Sequence, residues 1–176
     1  NLAITMAQTG AKVILLDADL RKPVQHKIFQ KTNTIGISEL LSGFAQMNEV
    51  MHENVVENLD LITSGAIPPN PSELLGSNNM AQLLDALHEH YDYIFIDTPP
   101  INVVADALLL SGKTAGTLLV ARQLRTTYDE LKKAIESIQQ VNGNILGSVI
   151  TDVKEHDKPY SNYRKYKTYD YQYGRL

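Results

Sequence analysis

The sequence predicts an α/β fold, with a parallel sheet flanked by helices, and three observations carry that prediction. Short apolar runs of strand length recur five times along the 176 residues. Helical patterns with one apolar face lie between them. The runs are nearly continuous rather than alternating, as in parallel strands covered on both faces.

In chain order, Asn1 to Thr9 reads as the end of a helix, stopped by Gly10 at its C-terminal cap. Val13-Ile14-Leu15-Leu16 is the first strand and Leu59-Asp60-Leu61-Ile62-Thr63 the second. Pro68-Pro69-Asn70-Pro71 reads as a stiff extended loop leading into a helix, because each residue before a proline is pushed out of the helical region. Met80, Leu83, Leu84 and Leu87 share a helix face, with Ser77 as N-cap. Tyr93 to Ile96 is the third strand and Thr117 to Val120 the fourth. Leu131, Ala134, Ile135 and Ile138 share the next helix face, with Thr127 as N-cap and Asp129-Glu130 in the first turn. Ile145 to Ile150 is the fifth strand. From Lys154 onward the pattern stops, so 1–153 is read as one domain and 154–176 as a flexible tail.

Composition narrows the function classes. Apolar residues make up 43% and charged residues 20%, ordinary for a globular protein with a real core. No apolar run approaches the 18 or so residues of a bilayer span, and the first residues lack the pattern of a secretory signal. There are no cysteines, which excludes disulfides, thiolate zinc sites and a cysteine nucleophile. His26, His52, His88, His90 and His156 are scattered without metal-ligand spacing. Residues 1–153 carry a net −7 and residues 154–176 a net +3, a basic end suited to an acidic surface. Nucleic acid is the other reading of a basic tail, but the acidic body argues against it.

The chemistry-bearing residues lie where strands end. In an open α/β sheet, ligands bind beyond the carboxyl ends of the strands. The first strand runs into Asp17-Ala18-Asp19-Leu20-Arg21 and the third into Asp97-Thr98-Pro99-Pro100. A single aspartate there often caps a turn. Three on two strands make a place for a hard cation such as Mg²⁺, which takes oxygen ligands and serves phosphate chemistry.

At these residues the sequence resembles a known family. The apolar run followed by Asp-x-Asp-x-Arg resembles the Walker A′ motif, and the run followed by Asp-Thr-x-Pro resembles Walker B. Asp19-Leu20-Arg21-Lys22-Pro23, Gly36-Ile37-Ser38-Glu39-Leu40-Leu41, the stretch from Gly65 to Leu75 and Asp97-Thr98-Pro99-Pro100 follow in order. Together they are similar to the bacterial tyrosine kinases, relatives of the deviant Walker P-loop ATPases of plasmid partition and division-site placement. The resemblance covers essentially the whole chain. It implies a P-loop NTPase-like fold, ATP and Mg²⁺ as cofactors, and tyrosine phosphorylation that regulates exopolysaccharide or capsule production.

The tail fits that reading. Tyr160, Tyr163, Tyr166, Tyr169, Tyr171 and Tyr173 are six of the nine tyrosines, interleaved with Arg164, Lys165 and Lys167. Alone, such a tail also reads as a low-complexity end or as stacking platforms for single-stranded nucleic acid. Beside the motifs it resembles the tyrosine cluster that these kinases phosphorylate on one another. Each phosphate adds about −1.5 to −2 charge, which would drive a modified tail from an acidic site.

The resemblance also assigns roles. Asp19 and Asp97 would hold Mg²⁺, partly through water. Asp17 would orient or take up the tyrosine hydroxyl proton. Asp17, Asp19, Asp97 and Thr98 together would bound the nucleotide site. Arg21 would contact that site or the incoming tail, or else serve as a surface ion-pair partner. Thr98 would orient the turn after the strand or cap Pro99-Pro100. In related ATPases an Asn often follows the last strand and helps hold adenine; here Thr151 and Asp152 stand there.

The phosphate-binding G-x-x-x-x-G-K-[ST] loop occurs nowhere in the sequence. With the acids and the tail kept, the expectation is a fragment lacking the loop and its strand rather than a decayed paralogue. Expected partners are further copies in a ring, a transmembrane modulator, a cognate tyrosine phosphatase and substrates such as sugar-nucleotide enzymes, with no nucleic acid. The expected location is the cytoplasm, at the inner face of the membrane through the modulator. Two alternatives remain: a deviant Walker ATPase switch controlling dimerisation and partner binding, and an inactive scaffold.

Overall fold

The computed structural model describes residues 1–153. The six tail tyrosines, and the reading of 154–176 as flexible, lie outside the described residues.

The first helix, α1 (Leu2–Ala7), buries Ala3 and Ala7 against Val13 and Leu59. Gly10 follows it at φ +90°, a left-handed turn that glycine adopts at low cost. Strand β1 (Val13–Asp17) comes next and is the most deeply buried, with Val13, Ile14, Leu16 and Asp17 inaccessible to solvent. Three short helices follow: α2 (Gln25–Ile28), α3 (Ile37–Leu41) and α4 (Met47–Val50). Strands β2 (Met51–Val56) and β3 (Leu59–Ile62) form a hairpin across Glu57-Asn58, with Asn58 at φ +61°. Helix α5 (Pro71–Gly76) starts with proline at its first position, where a missing N–H costs nothing. Helix α6 (Asn78–His88) is capped as expected, Ser77 Oγ accepting from the Met80 N–H at 3.3 Å.

After β4 (Tyr93–Asp97) come α7 (Asp106–Ser111), β5 (Thr117–Arg122), α8 (Tyr128–Gln140) and β6 (Ile145–Thr151). The expected cap of α8 is a full capping box. The Glu130 N–H donates to Thr127 Oγ1 at 3.2 Å, and the Thr127 N–H donates to Glu130 Oε2 at 2.8 Å. Among the described residues no helix is long and apolar enough to cross a membrane.

The strands form two sheets rather than one. The first has the order β2-β3-β1-β4, the second pairs β5 with β6. β1 runs parallel to β3 and β4, and β5 parallel to β6, but β2 is antiparallel to β3. The expected parallel sheet flanked by helices is present, with one antiparallel edge strand that makes it mixed. The reason is local: the two-residue link between β2 and β3 is too short for a crossover and permits only a hairpin. β2 is also an edge strand, half exposed and bulged between His52 and Val56.

The main core lies on one face of the first sheet, where Ile14, Leu16 and Ile62 meet Leu75, Met80, Leu83 and Leu87. A smaller cluster sets Leu119 of β5 against Ala134 and Ile138 of α8. The other face of the small sheet is bare: the register partners Val120 and Val149 are 67% and 43% exposed. β4 and β5 are not hydrogen-bonded to each other.

Candidate functional site

The carboxyl ends of β1 and β4 bring two of the expected acids together. Asp17 and Asp97 are register partners on adjacent parallel strands, about 4.8 Å apart in the backbone by sheet geometry. The Ala18 N–H donates to the Asp97 carbonyl at 2.8 Å and continues the ladder past the strand ends.

Asp17 is wholly buried. Its Oδ2 accepts the Gln25 backbone N–H at 3.0 Å, while Oδ1 is buried with no hydrogen-bond partner. Burial pushes its carboxyl up to about 6, and the charges of Asp97 and Asp19 add to the effect, while the backbone N–H groups of Gln25 and Asp19 offset part of it. Asp97 is half-buried, and its Oδ2 accepts from Gln25 Nε2 at 2.6 Å. Gln25 therefore ties both acids to the start of α2, through its backbone to one and its side chain to the other.

Asp19 plays a different local part. Its Oδ1 accepts the N–H groups of Arg21 at 3.2 Å and Lys22 at 2.9 Å, which closes the turn after β1. Arg21 is held in a fork. Its Nε donates to Asp106 Oδ2 at 2.8 Å, and its Nη2 donates to Asp106 Oδ1 at 3.1 Å and to Ser72 Oγ at 3.0 Å. Ser72 Oγ donates in turn to Asp106 Oδ1 at 2.6 Å. Asp106 is fully buried; burial alone would raise its pKa, but the bonds from Arg21 and Ser72 outweigh that and hold it below the usual carboxylate range. The fork joins the turn after β1 to α5 and α7, so the structure places Arg21 in an ion pair rather than open toward the acids. Thr98 lies half-buried directly after β4. At the far strand, the Thr151 hydroxyl donates to the Ala121 carbonyl at 3.4 Å, and Asp152 pairs with Arg122.

The expected gathering of three acids reduces to a pair with Asp19 alongside. Among the described residues no three His, Cys, Asp or Glu side chains come together closely enough to hold a metal between them. The pair still fits a hard cation that keeps most of its water. Asp17 Oδ1 is a buried carboxylate oxygen without a donor, and Asp97 Oδ2 already takes a positive hydrogen from Gln25. Sequence reasoning missed Gln25, Ser72 and Asp106. Gln25 lies eight residues beyond Asp17, and Asp106 85 beyond Arg21, and no motif marks either spacing.

Comparison with known proteins bears on this arrangement. The AAA domain family matches residues 1–150. CapB of Staphylococcus aureus is 41% identical over 150 residues, 85% of this chain and 66% of CapB. Tyrosine-protein kinase YwqD of Bacillus subtilis is 39% identical over 170 residues, 97% of this chain and 71% of YwqD. Tyrosine-protein kinase etk of Escherichia coli K12 is 39% identical over 153 residues, 87% of this chain but only 21% of etk. The chain thus spans less than two thirds of several of its relatives. Among solved structures, the chimerical protein CapA2B2 superposes with a TM-score of 0.82 at 42% identity, covering 85% of this chain and 66% of that one. The kinase domain of Escherichia coli ETK gives 0.81 at 38% identity, covering 87% and 62%. The septum site-determining protein MinD of Pyrococcus horikoshii, complexed with Mg-ADP, shares the fold at a TM-score of 0.69 and 19% identity, covering 85% and 61%.

Proposed function

The chain belongs to the bacterial tyrosine-kinase family built on the AAA domain, and on that premise we propose that it is the acid-bearing part of an ATP-dependent protein-tyrosine kinase of the capsule and exopolysaccharide type. The observation that carries this reading is the Asp17–Asp97 pair, side by side at the ends of two parallel strands, with one Asp17 oxygen buried and unpartnered.

Phosphoryl transfer needs positioning and charge neutralisation more than covalent chemistry. Asp97 would hold Mg²⁺ directly and Asp19 through water, with Thr98 at the rim. The cation, when bound with ATP, supplies neutralisation of phosphate charge. Asp17 is suited to the acceptor's proton. A carboxyl that titrates near 6 is ionised at neutral pH yet more basic than an ordinary aspartate, and Oδ1 is open to accept. Arg21 supports the site by anchoring the turn that carries Asp19. The phosphate loop would come from polypeptide outside these residues, and a strand brought with it would join the two sheets.

Residues 1–153 would form the catalytic domain. The acceptors would be Tyr160, Tyr163, Tyr166, Tyr169, Tyr171 and Tyr173 of a neighbouring copy in a ring. Activation by a transmembrane modulator, reversal by a tyrosine phosphatase and action on sugar-nucleotide enzymes follow from the same reading. The test is autophosphorylation in a polypeptide in which a phosphate-loop strand precedes Asn1. Asp17→Asn and Asp97→Asn should each abolish the phosphotyrosine signal with unchanged circular dichroism. A near-normal signal in either variant overturns the role given to that carboxylate.

A further inference from the structure

We infer that the Gln25 side chain is a resident stand-in for the divalent cation, occupying the Asp97 oxygen that the cation takes and leaving it when the cation binds. The inference rests on the reading of Asp97 as a cation ligand beside Asp17. Three observations carry it. Gln25 Nε2 lies 2.6 Å from Asp97 Oδ2, a short contact for an amide and a carboxylate. Gln25 is also fixed independently of that contact, because its backbone N–H bonds Asp17 Oδ2 at 3.0 Å. The register of β1 and β4 sets the two carboxylates side by side, and between them only Asp17 Oδ1 is a buried oxygen without a donor.

Two like charges on adjacent strand ends repel, and the repulsion must be met by something while no cation is bound. An amide N–H brings a partial positive charge to one of them. The two anchor points on Gln25 separate the parts that stay from the part that moves. The backbone N–H keeps Asp17 oriented in both states, and rotation of the side chain alone vacates Asp97. Neither α2 nor the strand ends need shift, so the exchange is local.

The consequence is a competition. A cation at Asp97 must first break a charge-assisted hydrogen bond, so the native glutamine weakens cation binding. Removing the amide removes the competitor while leaving the backbone bond to Asp17. Hydrogen bonds to charged groups lie at the strong end of the protein range, so Gln25→Ala is expected to bind Mg²⁺ roughly ten- to a hundredfold more tightly.

The experiment is calorimetric titration of the 176-residue chain with MgCl₂, comparing the native protein, Gln25→Ala and Asp97→Asn. In parallel, the Gln25 side-chain amide of the native protein is followed by ¹⁵N NMR through the same titration. The inference expects tighter binding by Gln25→Ala, loss of binding by Asp97→Asn, and a Gln25 amide shift with the same midpoint as the heat signal. Unchanged or weaker binding by Gln25→Ala, with binding still lost in Asp97→Asn, overturns the inference and leaves the cation site standing. A Gln25 amide that does not move while Mg²⁺ binds overturns it without reliance on any variant. No Mg²⁺ binding by any of the three proteins overturns both the inference and the cation site.

Discussion

Replacing Asp17 by Asn should make this protein more stable at neutral pH. Asp17 is buried at the end of β1 beside Asp97, and its carboxyl is pushed from an ordinary 3.8 up to about 6. One pKa unit corresponds to about 1.4 kcal/mol, so the ionised form is disfavoured in the folded state by about 3 kcal/mol. Because the folded-state pKa is raised, the folded protein binds more protons than the unfolded chain between the two values. Stability from this group is therefore fully present below 3.8 and is lost as pH rises through about 6. Asn keeps a carbonyl oxygen for the Gln25 N–H and cannot ionise. The variant should gain about 1–3 kcal/mol at pH 8 and lose most of that advantage by pH 4. Urea unfolding followed by circular dichroism at several pH values measures both quantities. All other acids are common to the two proteins, so the difference between them isolates Asp17. A variant no more stable than the native protein at pH 8, with a difference that does not vary with pH, would refute the account of Asp17. Such a gain at the cost of activity is the trade expected where a fold holds a strained functional group.

Other consequences follow from the same geometry. Added Mg²⁺ should raise the melting temperature at pH 8 and do so progressively less as pH falls through about 6, where protonation of Asp17 removes a negative charge beside the cation; differential scanning fluorimetry reads the shift. Leu16→Ala, at a wholly buried position of β1, should cost about 2–5 kcal/mol in urea unfolding. Gly36→Ala should destabilise by about 1–3 kcal/mol, because the new Cβ would run into the Thr63 carbonyl and the Gly65 nitrogen, backbone atoms that cannot swing aside. In a polypeptide that also carries a phosphate loop, changing the six tail tyrosines to Phe should remove most autophosphorylation but spare an added substrate. Mass spectrometry placing the phosphate mainly on Tyr91, Tyr93 or Tyr128 would count against the tail. Tyr91 is a poor acceptor: its hydroxyl donates to Asp60 at 2.5 Å, and burial together with that bond pushes its pKa up.

The sequence made the five main strands and the two longest helices legible, because each declares itself within a few residues. A continuous apolar run can satisfy its side chains only between two layers. Ser77 and Thr127 cap α6 and α8 through residues three positions away, well inside one turn. The two acids at the ends of β1 and β4 were legible for the same reason, since the run and the acid adjoin. The strand β2 was not, because Met51-His52-Glu53-Asn54-Val55-Val56 has neither an apolar run nor clean alternation. It is a strand because β3 offers it an edge across a two-residue link.

What local chemistry could not contain is the set of contacts that cross the chain. Asp17 and Asp97 meet because β1 and β4 are neighbours in register, a fact of sheet order and not of either motif. The turn carrying Arg21 is held by Asp106 and Ser72, 85 and 51 residues further on. Gln25 reaches an acid 72 residues away only because α2 folds back over the strand ends. The sequence by itself determined the five apolar strands, the two longest helices and the acids that end β1 and β4, since these depend on neighbours along the chain. Tertiary structure alone decided which acid is stripped of water, which is tied into a turn and which cation is already spent, because desolvation and ion pairing depend on neighbours in space.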